Sequence, residues 1–174
     1  EVGVLKGNNA EDMYNFLKPK KMFLIDSWSA EKGIETAAAV AHRSWSANYL
    51  GDYDWYYGGP IDEQKTYDDI YKEAQSKFLG RDNVEFIRAD SLAGFEVLKT
   101  NQQTDLDFIY IDAPSVFDID GDINGWNTKH KDMMPMMSDV LKIEHFLTPK
   151  TIIVLDGRTA NARFLKCNLQ RNWE

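Results

Sequence analysis

Five short apolar runs, each followed by a helix-compatible stretch, leave this chain few folds to choose from. The first lies within Glu1-Val-Gly-Val-Leu-Lys-Gly-Asn-Asn-Ala10, which reads as a buried strand, a glycine turn and then a helix over 11–17. Met22-Phe-Leu-Ile25 follows and ends in Asp26, Val84-Glu-Phe-Ile-Arg88 leads to Asp90-Ser91, and Asp107-Phe-Ile-Tyr-Ile-Asp112 ends in its own acid. Thr151-Ile-Ile-Val-Leu155 runs into Asp156-Gly157. A β-then-α succession predicts an α/β fold: a doubly wound, mostly parallel sheet with helices on both faces. Ligands of such sheets bind beyond the carboxyl ends of the strands, and here that edge collects acids.

The intervening segments carry helical signals. Tyr67, Ile70, Tyr71, Ala74 and Phe78 recur at three- and four-residue steps, which predicts an amphipathic helix over 62–79 with Gly80 as its C′ residue. A short helix is expected over 92–98 with Ser91 as its cap, and others over 133–146 and 160–172. Between Asp26 and that amphipathic helix lies an aromatic-rich insert at about 29–61, crowded with Trp45, Tyr49, Tyr53, Trp55, Tyr56 and Tyr57. It reads either as a lid or substrate wall, or as cover for the sheet or for the interface of a homo-oligomer.

Length and charge narrow the classes. At 174 residues the chain is a single domain with room for a substantial core. Twenty-eight acidic against 20 basic residues give a net charge of −8, which argues against a nucleic-acid partner. The lone Cys167 forms no internal disulfide, and no apolar run approaches a membrane span. A cytoplasmic protein without membrane contact is the expectation. Because the first predicted strand opens the sequence, an excerpt of a longer protein is expected, cut at both ends.

The first turn points to a ligand. Glycines at 3 and 7 allow backbone to approach it closely. The dinucleotide pattern G-x-G-x-x-G, laid from Gly3, meets Leu5 and Asn8 where it needs glycine, so a pyrophosphate is disfavoured. The acid that leads the turn, Glu1, suits a cationic end such as an α-amino group. Asp26 follows about 20 residues on, where such folds place the acid that accepts from ribose hydroxyls.

With E-x-G-x-x-x-G and Ile25-Asp-Ser-Trp28 in hand, the whole sequence resembles a class I S-adenosylmethionine (SAM) dependent methyltransferase. It is most similar to the small-molecule O-methyltransferases, whose fold is Rossmann-like. The resemblance implies that Glu1, Gly3 and Gly7 wrap the methionine end of SAM and that Asp26, with Trp28 beside it, holds the ribose. It implies that Asp90 and Ser91 border the adenine and that Asp112 lies beneath the methionine and the substrate. The implied activity is methyl transfer to a small-molecule acceptor, through a hydroxyl oxygen. Two routes to deprotonate that hydroxyl are open. One uses Mg²⁺ held by Asp112 and Asp156, although Gly157 stands where relatives carry a third ligand, leaving Asn161 as a distant substitute. The other uses a general base, with His130 as the candidate beside Asp112.

Three competing patterns weigh less. Ile111-Asp-Ala-Pro-Ser115 is a distorted form of the Asp-Pro-Pro-Tyr signature of nucleic-acid amino-methyltransferases, with Ala113 and Ser115 replacing a proline and the aromatic. From Asp120 the chain reads like half an EF-hand loop, but Lys131 stands at the twelfth position, so a solvated acidic loop is expected over 118–125. A non-catalytic Rossmann-like binding module is the third alternative, since a fold by itself does not establish activity.

Overall fold

The computed structural model describes residues 1–34, 54, 56–112 and 143–155. The helices expected over 160–172 and most of 133–146, the loop over 118–125, and the residues His130, Asp156, Gly157 and Asn161 lie outside the described residues, as does much of the insert. Within them the fold is α/β. Helix α1 (Asn8–Leu17) leads to strand β1 (Met22–Asp26), followed by a helical turn at residues 30–34 and helix α2 (Gln64–Ser76). Strand β2 (Val84–Arg88), helix α3 (Ser91–Thr100) and strand β3 (Phe108–Ile111) come next. A 3-10 turn (Glu144–Phe146) precedes strand β4 (Ile152–Leu155). Among the described residues no helix is long and apolar enough to cross a membrane.

The strands pair in parallel, β1 with β2 and β3 with β4. The opening segment, expected as a full strand, joins the two pairs through one residue, since Val2 bridges both Ile25 and Ile111 in parallel. Hydrogen bonds alternate to either side of it, as along a parallel strand. Val2 N donates to the Tyr110 carbonyl and Asp112 N to the Val2 carbonyl, both at 2.8 Å. Gly3 N donates to the Ile25 carbonyl and Ile25 N to the Glu1 carbonyl, both at 2.9 Å. The strand stops short because Gly3 turns into the left-handed region at φ 83°. Laterally the order is β2, β1, the Glu1–Val4 segment, β3, β4.

Alternation along β1 divides the core. Phe23 and Ile25 join Val2, Ile87, Ile109 and Ile111 beneath Phe95 and Leu98 of α3, with Ile143 and Phe146. Leu24 faces the other way, into a cluster with Ala10 of α1 and Tyr67, Ile70 and Ala74 of α2. Burial on both sides is why this run reads as continuously apolar rather than alternating. The helices depart a little from the periodic reading. Helix α1 starts at Asn8, because Gly7 takes φ 74° and starts the helix without a side-chain cap. The cap of α3 is Asp90 rather than Ser91: its carboxylate accepts from Ala93 N at 2.8 Å, and Ser91 is the first helical residue. Helix α2 ends at Ser76, and Gly80, at φ 78°, closes the turn beyond it.

Gly94, in the middle of α3, is fixed by packing. A Cβ there would stand 2.4 Å from Ile25 Cγ2, a branched methyl on a central strand that has no free rotation away. Alanine gains about 1 kcal/mol in helix propensity, but overpacking costs ~1–3 kcal/mol. Gly94→Ala is therefore expected to destabilise by about 1 kcal/mol net, read as a lower urea midpoint at unchanged slope.

Candidate functional site

The Asp26 carboxylate, at the carboxyl end of β1, organises the turn that the sequence singles out. Its Oδ2 accepts from Val4 N and Leu5 N, both at 2.8 Å, and its Oδ1 accepts from Trp28 N at 3.0 Å. Charge-assisted bonds of this kind are about twice as strong as neutral ones. They hold a strained path. Leu5 at φ 49° and Trp28 at φ 40° lie in the left-handed region without being glycine, at a cost of about 1–2 kcal/mol each. Gly3 in the same turn takes φ 83°, where glycine alone is unstrained.

Trp28 supports the turn from beneath. Its indole is 1 % exposed, lies 4.7 Å centroid to centroid from Tyr71, and donates through Nε1 to the Leu5 carbonyl at 2.9 Å. A ring so enclosed meets no ligand directly; it enters the site only by positioning residues 3–7. Its carbonyl is clamped in turn, accepting from Arg88 Nη2 at 2.7 Å and Gln64 Nε2 at 2.9 Å. Gln64 Oε1 accepts from Ala30 N at 3.1 Å, and Arg88 also pairs with Asp68 and lies over the Tyr71 ring. Gln64 and Arg88 escape a sequence reading because no spacing links them to Asp26. Gly7 likewise acts through packing: a Cβ on it would stand 3.3 Å from the Ala74 Cβ of α2.

Glu1 stands differently from the other acids. Asn9 Nδ2 donates to its Oε1 at 2.9 Å, while Oε2 is buried and has no hydrogen-bond partner among the described residues. Burial pushes its carboxyl up to about 7, against the opposite pull of its own α-ammonium and of the Asn9 bond, and the charges of Asp112 and Asp26 add a smaller rise. An orphaned carboxylate oxygen costs on the order of 1–3 kcal/mol, more when it is ionised. The arrangement suits a cationic donor and disfavours a phosphate.

The structure thus gathers Glu1, Gly3, Asp26 and Asp112 at one strand edge. Ala89 N donates to the Asp26 carbonyl at 2.9 Å, which sets Asp90 and Ser91 beside them at the head of α3. Asp90 is exposed, and one of its oxygens is committed to capping. Among the described residues no group of three or more His, Cys, Asp or Glu side chains is placed to hold a metal ion. Asp156, the expected co-ligand of Asp112, and His130 lie outside the described residues.

Removing the Asp26 carboxylate would leave three main-chain N–H groups unsatisfied beneath the turn. Asp26→Ala is expected to cost about 2–3 kcal/mol of stability, a fall in melting temperature of roughly 4–12 °C for a chain of this length. Asp26→Asn, which keeps an acceptor oxygen, should lose less than half of that; equal losses would show that the charge rather than the bonds holds the turn.

Comparison with family models, with curated proteins and with solved structures returns no match for this chain.

Proposed function

We propose that the strand edge binds SAM and that the protein transfers its methyl group to a hydroxyl oxygen of a small-molecule acceptor, as a cytoplasmic enzyme on a Rossmann-like, doubly wound sheet. The observation that carries this reading is Glu1 Oε2, buried without a partner among the described residues, beside a glycine turn and two further carboxylates. An α-amino group would supply the missing donor and a neutralising charge together. The parallel pairing across Val2 supports the fold assignment.

Bound there, SAM would supply an already activated methyl group on a sulfonium, so the protein's task is positioning and removal of the acceptor's proton. Glu1 would take the amino group and Gly3 would leave room for the chain beside it. Asp26 would accept from the ribose, while Asp90 and Ser91 would border the base. Asp112 would lie nearest the acceptor and keep the region negative, which favours a positive sulfonium over a diphosphate. The proton would leave to a base such as His130, or to a Mg²⁺-activated route through Asp112 and Asp156.

Calorimetry with S-adenosylhomocysteine tests the reading directly. Binding by the homocysteine nucleoside, with none by NAD at the same concentration, is the expected result. Failure of both would overturn it. A binding module would bind the ligand yet turn over no acceptor, whereas salt-sensitive binding of DNA or RNA would favour base methylation.

The raised Glu1 carboxyl makes the affinity depend on pH, with a sign opposite to that of stability. An acid raised from 4.5 to about 7 on folding holds a proton that the unfolded chain releases. Its contribution to stability therefore falls as pH rises from 4.5 through about 7. Binding of an ammonium needs the ionised form, so affinity for S-adenosylhomocysteine should fall as pH drops from 8 to 6, by up to about tenfold per unit. Glu1→Gln should flatten that profile and weaken binding at pH 8; an unchanged profile would remove Glu1 from the site.

The deprotonation route has its own check. Because Gly157 replaces the third ligand that a hard cation would need, methyl transfer is expected to persist in EDTA. Abolition by EDTA with rescue by Mg²⁺ would make Asp112 and Asp156 metal ligands instead.

A further inference from the structure

Strands β1 and β2 set two opposite charges side by side at the strand edge. Asp26 and Arg88 are register partners at the carboxyl ends of the two strands, which lie ~4.8 Å apart. Both side chains belong to the α2 face of the sheet. Leu24 and Phe86, two residues earlier on their strands, pack in the cluster that holds Ile70 and Ala74 of α2, and side chains two apart along a strand share a face. An arginine on a flexible stem beside a carboxylate on the same face is the ordinary setting of an ion pair.

The guanidinium is drawn elsewhere. Its Nη2 donates to the Trp28 carbonyl at 2.7 Å and to Asp68 Oδ1, and its central carbon lies 5.2 Å from the centre of the Tyr71 ring. Gln64 Nε2 donates to the same two acceptors, at 2.9 Å and 3.1 Å, so Arg88, Gln64, Trp28 and Asp68 close a ring of hydrogen bonds. A neutral carbonyl competes poorly with a carboxylate for a guanidinium, because bonds between charged groups are about twice as strong. The Trp28 carbonyl alone would therefore lose Arg88 to Asp26. A second carboxylate, Asp68, restores the balance.

The direction of Arg88 matters because of the count at Asp26. An ionised carboxylate offers roughly four acceptor sites, and Val4 N, Leu5 N and Trp28 N occupy three of them. Arg88 would fill the last and cancel the charge. Turned towards Asp68, it does neither. We infer that Asp68 is a positioning residue for the strand edge: it draws Arg88 away from Asp26 and so leaves the last acceptor site of Asp26 to a ligand hydroxyl. The inference rests on the nucleoside reading of the edge and adds to it a competition between two acids for one arginine, decided on α2. Asp68 acts through Arg88 and touches no ligand.

Asp68→Ala, Arg88→Met and the double variant test it, with S-adenosylhomocysteine and adenosine as calorimetric probes. Position 68 is partly exposed on a helix, where alanine is the best helix former, so Asp68→Ala should melt close to the parent. A crystal structure of that variant should place a guanidinium nitrogen of Arg88 within about 4 Å of an Asp26 oxygen. Its affinity for both probes should fall roughly tenfold or more, the worth of one hydrogen bond to a charged acceptor. Arg88→Met should cost less, because Gln64 still holds the Trp28 carbonyl. The double variant should bind as Arg88→Met does, more tightly than Asp68→Ala. Were the ring only a brace for Trp28, losing Arg88 would cost at least as much as losing Asp68, and the double variant would recover nothing. That pattern overturns the inference. So does an Asp68→Ala variant that binds as tightly as the parent or leaves Arg88 in place, and each of these results leaves the nucleoside reading intact. A parent that binds neither probe overturns both.

Discussion

Three main-chain N–H groups converge on the carboxylate of Asp26, and the geometry of the whole strand edge follows from them. Two come from the turn after the opening segment and one from the turn after β1, so a single side chain ties together chain separated by more than twenty residues. Without that tie, Leu5 and Trp28 would relax out of the left-handed region. The Trp28 indole would then lose the Leu5 carbonyl, and Gly3 would lose the fixed path that opens the edge. Support continues outward through Gln64 and Arg88 to α2, which makes the helix a buttress for a loop it does not adjoin in sequence. Precise sites are commonly held in this way, by groups one layer removed from the ligand.

Electrostatics at this edge run against the folded state. Burial raises the proton affinity of Glu1, Asp112 and Asp26 add to the rise, and the α-ammonium of Glu1 offsets part of it. A core selected for stability alone would replace or pair such a carboxylate. Its persistence beside a positive-φ glycine is the kind of local conflict that marks functional sites, where stability is given up for a prepared interaction. A cationic partner would relieve burial, repulsion and the missing hydrogen bond together. For that reason the proposed reading leans more on the buried oxygen than on the glycines around it.

Much of the fold was legible because periodicity is a local property. The runs at Met22, Val84, Phe108 and Ile152 were recognisable from apolar composition alone, and their pairing follows the parallel arrangement expected of β-α units. Boundaries were harder. The turn residue Gly7 starts α1 earlier than periodicity indicates, and Asp90 takes the cap expected of Ser91, since a carboxylate one residue earlier reaches Ala93 N. The opening strand shrank to one bridging residue because Gly3 breaks it. At the candidate site the acids could be read from their places at strand ends. What they do for the backbone could not. Asp26 was legible as an acid at the carboxyl end of a strand, but its three N–H partners depend on loop torsions that no spacing encodes.

Tyr67 illustrates the same limit from the other direction. At three- and four-residue spacing with Ile70, Tyr71 and Ala74, it is one more member of an apolar helix face, and its ring does behave as one. Only the contact with Gly33, thirty-four positions earlier, separates the ring's task from that of the hydroxyl. Any side chain at 33 would have pushed the phenol aside. Neither residue is explained by the apolar face alone; each is explained by the other. Helical spacing records which face is buried, but not which single contact on that face fixes the size of the residue opposite.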